Sequence, residues 1–408
     1  MPTATKTFEY SVRDAKGKVI TGKLQAPNEA ALVTKLRDMG YAPLKVEEKK
    51  TDGLSTEINL PGSNRVKLKD LALMARQFAT MINSGLSLLR ALTILAEQTE
   101  SKGLKAALTD VRNDVETGQS LSSSMAKHPQ VFPPIMINMC RAGEVGGFLD
   151  AVLLQIAESF EADVKLRGKI KSAMTYPTVV FVIAIIAVVG MLLFIVPVFA
   201  KMFDNLGGEL PGPTKVLVAM STGLKYASVP LLIAIIVFSV VWGRIKHQER
   251  VRNVVDPLML RLPIFGVLFQ KVALSRFSRN LGTMLRSGVP ILQCLEIVGD
   301  TAGNVVIRRA TQDVQESVRT GNSLAGPLSE HRIFPPMMVQ MLAVGEDTGA
   351  MDTMLHKLSE FYDQEVEATT EALTSLIEPL MIAVLGSIIG AMIIALYMPI
   401  FKVFELIG

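Results

Sequence analysis

Three observations predict a mainly α, polytopic membrane protein with two homologous cytoplasmic helical-bundle domains, three transmembrane helices and a small N-terminal α+β domain. The chain has 408 residues, 49% hydrophobic and 20% charged, and three long stretches of it carry no charge at all. It aligns with itself on a shift of 203 residues. Ahead of the first copy, short alternating segments flank turn formers, the pattern of strands. Apolar residues so concentrated exclude a disordered chain, a disulfide scaffold and an ordinary soluble enzyme. A net charge of +4 is too small to argue for nucleic acid. Cys140 and Cys294 form no CxxC and read as reduced, packed thiols on a cytoplasmic side.

Residues 1–50 predict a ββαβ domain. TFEYSV and KVITGKL flank Asp14-Ala15-Lys16-Gly17, Pro27 to Met39 reads as a helix, and Tyr41 to Val46 as another strand. Turn formers across 51–66 predict a linker. Copy 1 of the helical domain takes 67–172; in it Leu88, Leu89, Leu92 and Leu95 have the spacing of one buried helix face. Ser84-Gly85 predicts a turn, with further breaks at Gly118, Pro133 and Gly146.

The first transmembrane helix is expected at 173–200 and the second at 227–243, joined by an extracytoplasmic loop at 201–226. Copy 2 follows at 244–376, a third span at 377–401 and an extracytoplasmic tail at 402–408. A helix needs about 20 apolar residues to cross a core of roughly 30 Å. Leu262 to Gln270 is shorter and reads as soluble packing. Lys165, Arg167, Lys169 and Lys171 precede the first span, and Arg244, Lys246, Arg250 and Arg252 follow the second. Basic flanks mark the cytoplasmic side, which places the N-terminus inside. The N-terminus lacks an apolar h-region, so no cleaved signal is expected.

The repeat aligns Arg76 to Leu92 with Arg279 to Leu295, including Ser84-Gly85 with Ser287-Gly288. Thr117-Gly118 meets Thr320-Gly321, and after a one-residue slip Phe132-Pro133-Pro134 meets Phe334-Pro335-Pro336. Pro177 and Pro197 match Pro379 and Pro399, so the repeat reaches into the membrane. The second span has no counterpart; it returns the chain so that copy 2 lies on the same side as copy 1.

The duplicated GExxG is the candidate interface or turn motif: Gly143, Glu144, Gly147 and Asp150 in copy 1, Gly345, Glu346, Gly349 and Asp352 in copy 2. A tight turn with an acid near a helix N-terminus suits the dipole. A cation held by Glu144 with Asp150, or Glu346 with Asp352, is the weaker reading, since two carboxylates do not make a six-oxygen shell. Gly386 and Gly390 form a GxxxG suited to helix packing, and Tyr226 and Trp242 suit interfacial anchoring. GKVITGKL, Gly17 to Leu24, nearly spells a phosphate loop but has Leu24 where a hydroxyl should meet magnesium. His128 and His331 are equivalent in the repeat, yet neither has a second ligand at metal spacing. No catalytic residue, cofactor site or metal site is expected.

SG-turn-LL helix pairs, FPP, GExxG, Pro-bracketed spans and LPIFG at Leu262 to Gly266 together resemble the polytopic platform proteins of type IV pilus and type II secretion machines (the PilC/GspF family). The resemblance covers nearly the whole chain, the N-terminal FEYSVRDAKGKVITGKL included. It implies a non-enzymatic platform in the bacterial inner membrane that couples a cytoplasmic motor ATPase to assembly and retraction of pilin filaments. Its implied partners are a hexameric assembly or retraction ATPase, pilin or pseudopilin subunits, inner-membrane alignment proteins and further copies of itself, with no nucleic acid. A type II secretion or DNA-uptake pseudopilus platform is the alternative within the family. A repeat-built secondary transporter is the alternative of another class, disfavoured because the ionisable side chains of the spans, Tyr176, Glu378 and Tyr397, lie near their ends.

Overall fold

The sequence repeat is a repeat of helices, element for element. The computed structural model describes residues 6–13, 19–26, 33, 42–48, 66–205, 210–246 and 248–407. Copy 1 contains α1 (Leu68–Asn83), α2 (Leu88–Gln98), α3 (Lys102–Glu116), α4 (Leu121–Ala126), α5 (Pro134–Gly146) and α6 (Leu149–Gly190). A π-helical turn, Met191–Ile195, leads into α7 (Val196–Asn205); then come α8 (Gly212–Ile245) and α9 (Glu249–Arg261). Copy 2 contains α10 (Phe265–Arg286), α11 (Ile291–Thr301), α12 (Val305–Arg319), α13 (Ala325–Glu330), α14 (Pro336–Thr348) and α15 (Met351–Ile407).

The chain divides into two compact units, Met1–Ser63 and Asn64–Gly408. In the first, β1 (Lys6–Arg13), β2 (Val19–Ala26) and β3 (Ala42–Glu48) form an antiparallel sheet in the order β2-β1-β3. Phe8 pairs with Leu24 and Glu48, and the β1–β3 register shifts between Ser11 and Val12. The Asp14 to Gly17 turn, the 51–65 stretch of the linker and, apart from Val33, the Pro27 to Met39 helix lie outside the described residues.

In the second unit, each copy is a bundle closed by glycine-capped turns. After α1, Gly85 adopts φ +83° while Leu86 N–H donates to Met81 C=O; after α10, Gly288 adopts φ +69° while Val289 N–H donates to Met284 C=O. These paired bonds satisfy helix-end carbonyls in a conformation that costs a side chain heavily. The buried face of α2 is Ala91, Leu92, Leu95 and Ala96. Leu88 is only partly buried and Leu89 is exposed, a correction to the four-leucine face, since Ala91 and Ala96 share the buried side with Leu92 and Leu95.

Both copies share one hydrophobic core, running from Leu71 and Phe78 through Ile156 to Phe277, Leu342 and Tyr362. Phe277 and Phe334 meet edge to face with centroids 5.2 Å apart. Each fully buried Leu or Phe contributes roughly 2 kcal/mol. Cys140 and Cys294 lie in this core as free thiols.

Among the described residues three helices are long and apolar enough to cross a membrane, Leu149–Met202, Gly212–Ile245 and Met351–Pro399. Their apolar flanks are bare: Ile186, Leu232 and Ile382 are 65%, 60% and 68% exposed. Water does not support apolar surface on this scale, and hydrocarbon does. α6 is 42 residues long, about 63 Å, and α15 is 57 residues, about 85 Å, so each far exceeds a bilayer core. The prolines expected to bracket the spans lie inside helices: Pro177 in α6, Pro379 and Pro399 in α15. The π-helical turn just before Pro197 widens the spiral where a proline ring would strike the carbonyl of Leu193. α7 and α8 leave a connection shorter than the loop at 201–226 read from charge.

The spans meet in a small cluster of Leu192, Val196, Leu217, Met392, Ala395 and Leu396. Thr214 Oγ1 donates to the Ala395 carbonyl and Ser221 Oγ to the Leu192 carbonyl, each at 2.5 Å. Gly386 and Gly390 lie outside this cluster, with no atom within 4 Å of where a Cβ would stand.

Candidate functional site

GExxG is a helix end that holds the start of another helix. Gly143 and Glu144 lie in the last turn of α5, and Gly147 closes it at φ +75°; Gly345, Glu346 and Gly349 (φ +69°) repeat this on α14. A Cβ on Gly143 would stand 3.1 Å from Leu149 Cα, and one on Gly345 3.1 Å from Met351 Cα. The first glycine thus permits the close approach of consecutive helices, and the last supplies the left-handed turn.

Each glutamate turns away from its own following helix. Glu144 accepts from Leu121 N–H at 2.5 Å, Ser122 N–H at 3.1 Å and Ser122 Oγ at 2.5 Å, at the N-terminus of α4. Glu346 accepts from Leu324 N–H at 2.8 Å and Ala325 N–H at 3.3 Å, at the N-terminus of α13. The acid does sit at a helix N-terminus, as the dipole favours, but the helix is brought from 22 residues upstream. Six-residue helices such as α4 and α13 cannot sustain themselves, so an outside cap matters more than usual. Asp150 and Asp352 occupy the first turns of α6 and α15. No group of three His, Cys, Asp or Glu side chains among the described residues could hold a metal ion.

Further polar pairs are duplicated. His128 Nε2 lies 3.5 Å from Asp110 Oδ2, and His331 Nε2 lies 2.9 Å from Asp313 Oδ2. Arg76 grips Glu161 with two hydrogen bonds, of 2.7 and 2.5 Å; at the equivalent place Arg279 pairs with Asp363, which also accepts from Ser275 Oγ at 2.5 Å. The Arg76 hydrogen bond holds the Glu161 carboxyl below the usual range. The matching offsets of Asp110 with Asp313, and of Arg76 with Arg279, were the signal for these pairs in the sequence.

The junction between copies is polar around the shared core. Asp163 on α6 receives Arg167 at 2.9 Å and Arg276 of copy 2 at 3.2 Å. Burial lowers the Arg276 guanidinium pKa, and Asp163 opposes that. Ser287 Oγ donates to Gln155 Oε1 at 2.6 Å, Gln293 donates to Asn138 at 2.9 Å, and Lys169 pairs with Glu367 between the two long helices. A cleft of about 230 Å³ opens here, bordered by Asp163, Arg167, Arg276 and Arg279. None of these junction contacts was read from the sequence, because nothing in either repeat alone says how two copies face each other.

Val19 to Leu24 of the near phosphate loop lie in β2, inside a sheet and not between a strand and a helix. Tyr226 is 81% exposed and Trp242 stacks on Phe238 at 5.8 Å on the bare face of α8, as an interfacial anchor would.

Residues 74–197 and 277–399 each match the family model described as type II secretion system (T2SS), protein F, and residues 1–47 match its N-terminal domain. The chain is 41% identical over 402 residues to the type IV pilus assembly protein PilC of Myxococcus xanthus, covering 98% of this chain and 95% of that protein. It is 41% identical over 398 residues to PilC of Thermus thermophilus, covering 97% and 98%. Type II secretion system protein F of Vibrio cholerae is 31% identical over 404 residues, covering 98% and 99%. The two family matches fall on the two helical copies with their spans, and full-length relatives agree from end to end: this chain belongs to the type II secretion system protein F (PilC/GspF) family.

Proposed function

We propose that this chain is the non-enzymatic platform of a type IV pilus machine in the bacterial inner membrane, with its N-terminus cytoplasmic. Its helical copies meet a hexameric motor ATPase, and its spans meet pilin subunits and alignment proteins, in an assembly with further copies of itself. The observation that carries this is mechanical. Each copy runs into the bilayer through one unbroken helix, α6 or α15, so displacement of a bundle becomes displacement of a span. The names of the 41% identical relatives favour a pilus. The 31% identical secretion protein keeps a type II secretion or pseudopilus platform as the second reading. The boundaries 67–172 and 244–376 mark the two motor-facing domains in this account. The GExxG carboxylates serve it structurally, by holding α4 and α13.

Gly168 tests the coupling, because it lies mid-helix with open space around it. Gly168→Ala keeps α6 intact, and normal piliation is expected. A flexible Gly/Ser insert after Gly168 uncouples the two halves of the helix, which a single proline need not do since α6 already carries Pro177; the protein should insert at normal level while piliation is lost. Piliation by a stably inserted protein carrying that insert would refute the coupling. Labelling of cysteines placed at Gly208, Gln248 and Leu406 reads the orientation, with only position 248 expected to react from the cytoplasm.

A further inference from the structure

The helix that follows the second span is amphipathic in the wrong sense for water. α9 begins four residues after the end of α8, and none of its residues is fully buried. The side that meets protein carries its polar residues together with Leu260, which packs on the shared core. Asp256 Oδ2 accepts from Val305 N–H at 2.9 Å, capping α12; Arg309 donates to Asn253 at 3.2 Å; Arg308 lies 2.8 Å from Glu249. At about 100° per residue, Glu249, Asn253 and Asp256 share one side of the helix and Val254 and Leu258 the other. Val254 and Leu258 are 67% and 60% exposed.

The bare stripe continues around the turn through Leu262, Ile264 and Val267, all exposed. Ile264 holds φ +72°, a region that β-branched residues avoid, and within the chain it gains no burial for that strain. Leu262 to Gln270 was expected to be soluble packing; Gly266 and Leu268 do pack inward, but its other large residues include these three outward ones. Arg250 and Arg261, both exposed, lie together along one edge of the stripe on the wheel.

An ordinary surface helix buries its apolar face and wets its polar one. An apolar stripe left bare on the far side of such a helix, next to a membrane span and edged by arginine, has hydrocarbon as its missing partner. We propose that Glu249–Val267 lies in the plane of the membrane, its apolar stripe seated at the acyl boundary of an anionic leaflet and Arg250 and Arg261 on the lipid phosphates. A re-entrant span does not fit: α9 is 13 residues, about 20 Å against a core of roughly 30 Å, and α10 carries Phe277, Leu281 and Met284 into the soluble core. Through the Asp256 cap on α12, this seat fixes the height of copy 2 against the bilayer.

The test uses the full chain in vesicles of phosphatidylethanolamine and phosphatidylglycerol. Native Cys140 and Cys294 are buried, so a fluorophore can be placed on single cysteines at Val254, Leu258 or Ile264, with Leu73 and Val145 in copy 1 as exposed controls. Lipids carrying a nitroxide near the headgroup should quench the three sites at least about two-fold more than the controls, and more than a chain-end nitroxide does. Arg250→Glu with Arg261→Glu should reduce that quenching in these vesicles. Quenching equal to the controls overturns the proposal. So does stronger quenching from the chain end, which means a re-entrant span. Shielding from both lipid nitroxide and aqueous iodide overturns it too, since protein then covers the face.

Discussion

Replacing Glu144 by alanine removes the only carboxylate shown capping α4 and leaves three donors behind. The backbone N–H groups of Leu121 and Ser122 and the Ser122 hydroxyl lose their acceptor, and Ser122 is only 2% exposed. Hydrogen bonds to a charged group contribute about 1.5–3 kcal/mol, and loss of a helix cap costs about 0.5–2 kcal/mol. These figures describe the same contacts, so we expect about 2 kcal/mol, a roughly 30-fold rise in local opening. Hydrogen exchange on the detergent-solubilised chain should show it as faster exchange over Leu121–Ala126, with Ala325–Glu330 unchanged as an internal control. Glu144→Gln keeps one acceptor oxygen and should lose about half as much. Unchanged exchange over α4 in Glu144→Ala, or equal acceleration in both copies, would refute the capping argument.

Arg279→Ala removes a guanidinium that is 7% exposed and leaves Asp363, 32% exposed, to Ser275 and solvent, so it should destabilise by about 2 kcal/mol in thermal melting, more than Arg76→Ala. Arg76→Ala breaks a pair that is 35% and 44% exposed, and should cost under about 1 kcal/mol. Because Arg76 depresses the Glu161 pKa, that pair stabilises above the unfolded carboxyl value of about 4.3 and fades as pH falls through the lower folded value. Acid titration should therefore loosen α1 from α6 below about pH 4, and Glu161→Gln should remove that step. Burial pushes the Cys294 thiol up to about 12 and also raises Cys140. Both should resist maleimide in the folded chain at neutral pH and react promptly in guanidinium.

Periodicity and punctuation made the helices legible. Glycines at 85, 118 and 147 recur at 288, 321 and 349, all with positive φ, because a turn needing that backbone keeps its glycine through a duplication. Charge-free length revealed the spans, though not the ends of the helices that carry them: Lys165 to Lys171 interrupt the apolar pattern of α6 without interrupting its hydrogen bonds. GExxG was legible as a turn, but its destination was not, since the partner amides of Leu121 and Ser122 are backbone groups that every residue carries. The outward face of α9 was hidden for a similar reason. Val254 and Leu258 look like core residues until Asn253 and Asp256 are found holding copy 2 from the other side.

The common interior of the two copies, with Lys169 bridging to Glu367 above the bilayer, has a mechanical corollary. α6 and α15 are splinted like two legs of one frame. Under the proposed coupling, a push delivered to either bundle would tilt both legs together, and the stroke reaching the lipid would be that of a rigid yoke and not of two rods free to slide past each other.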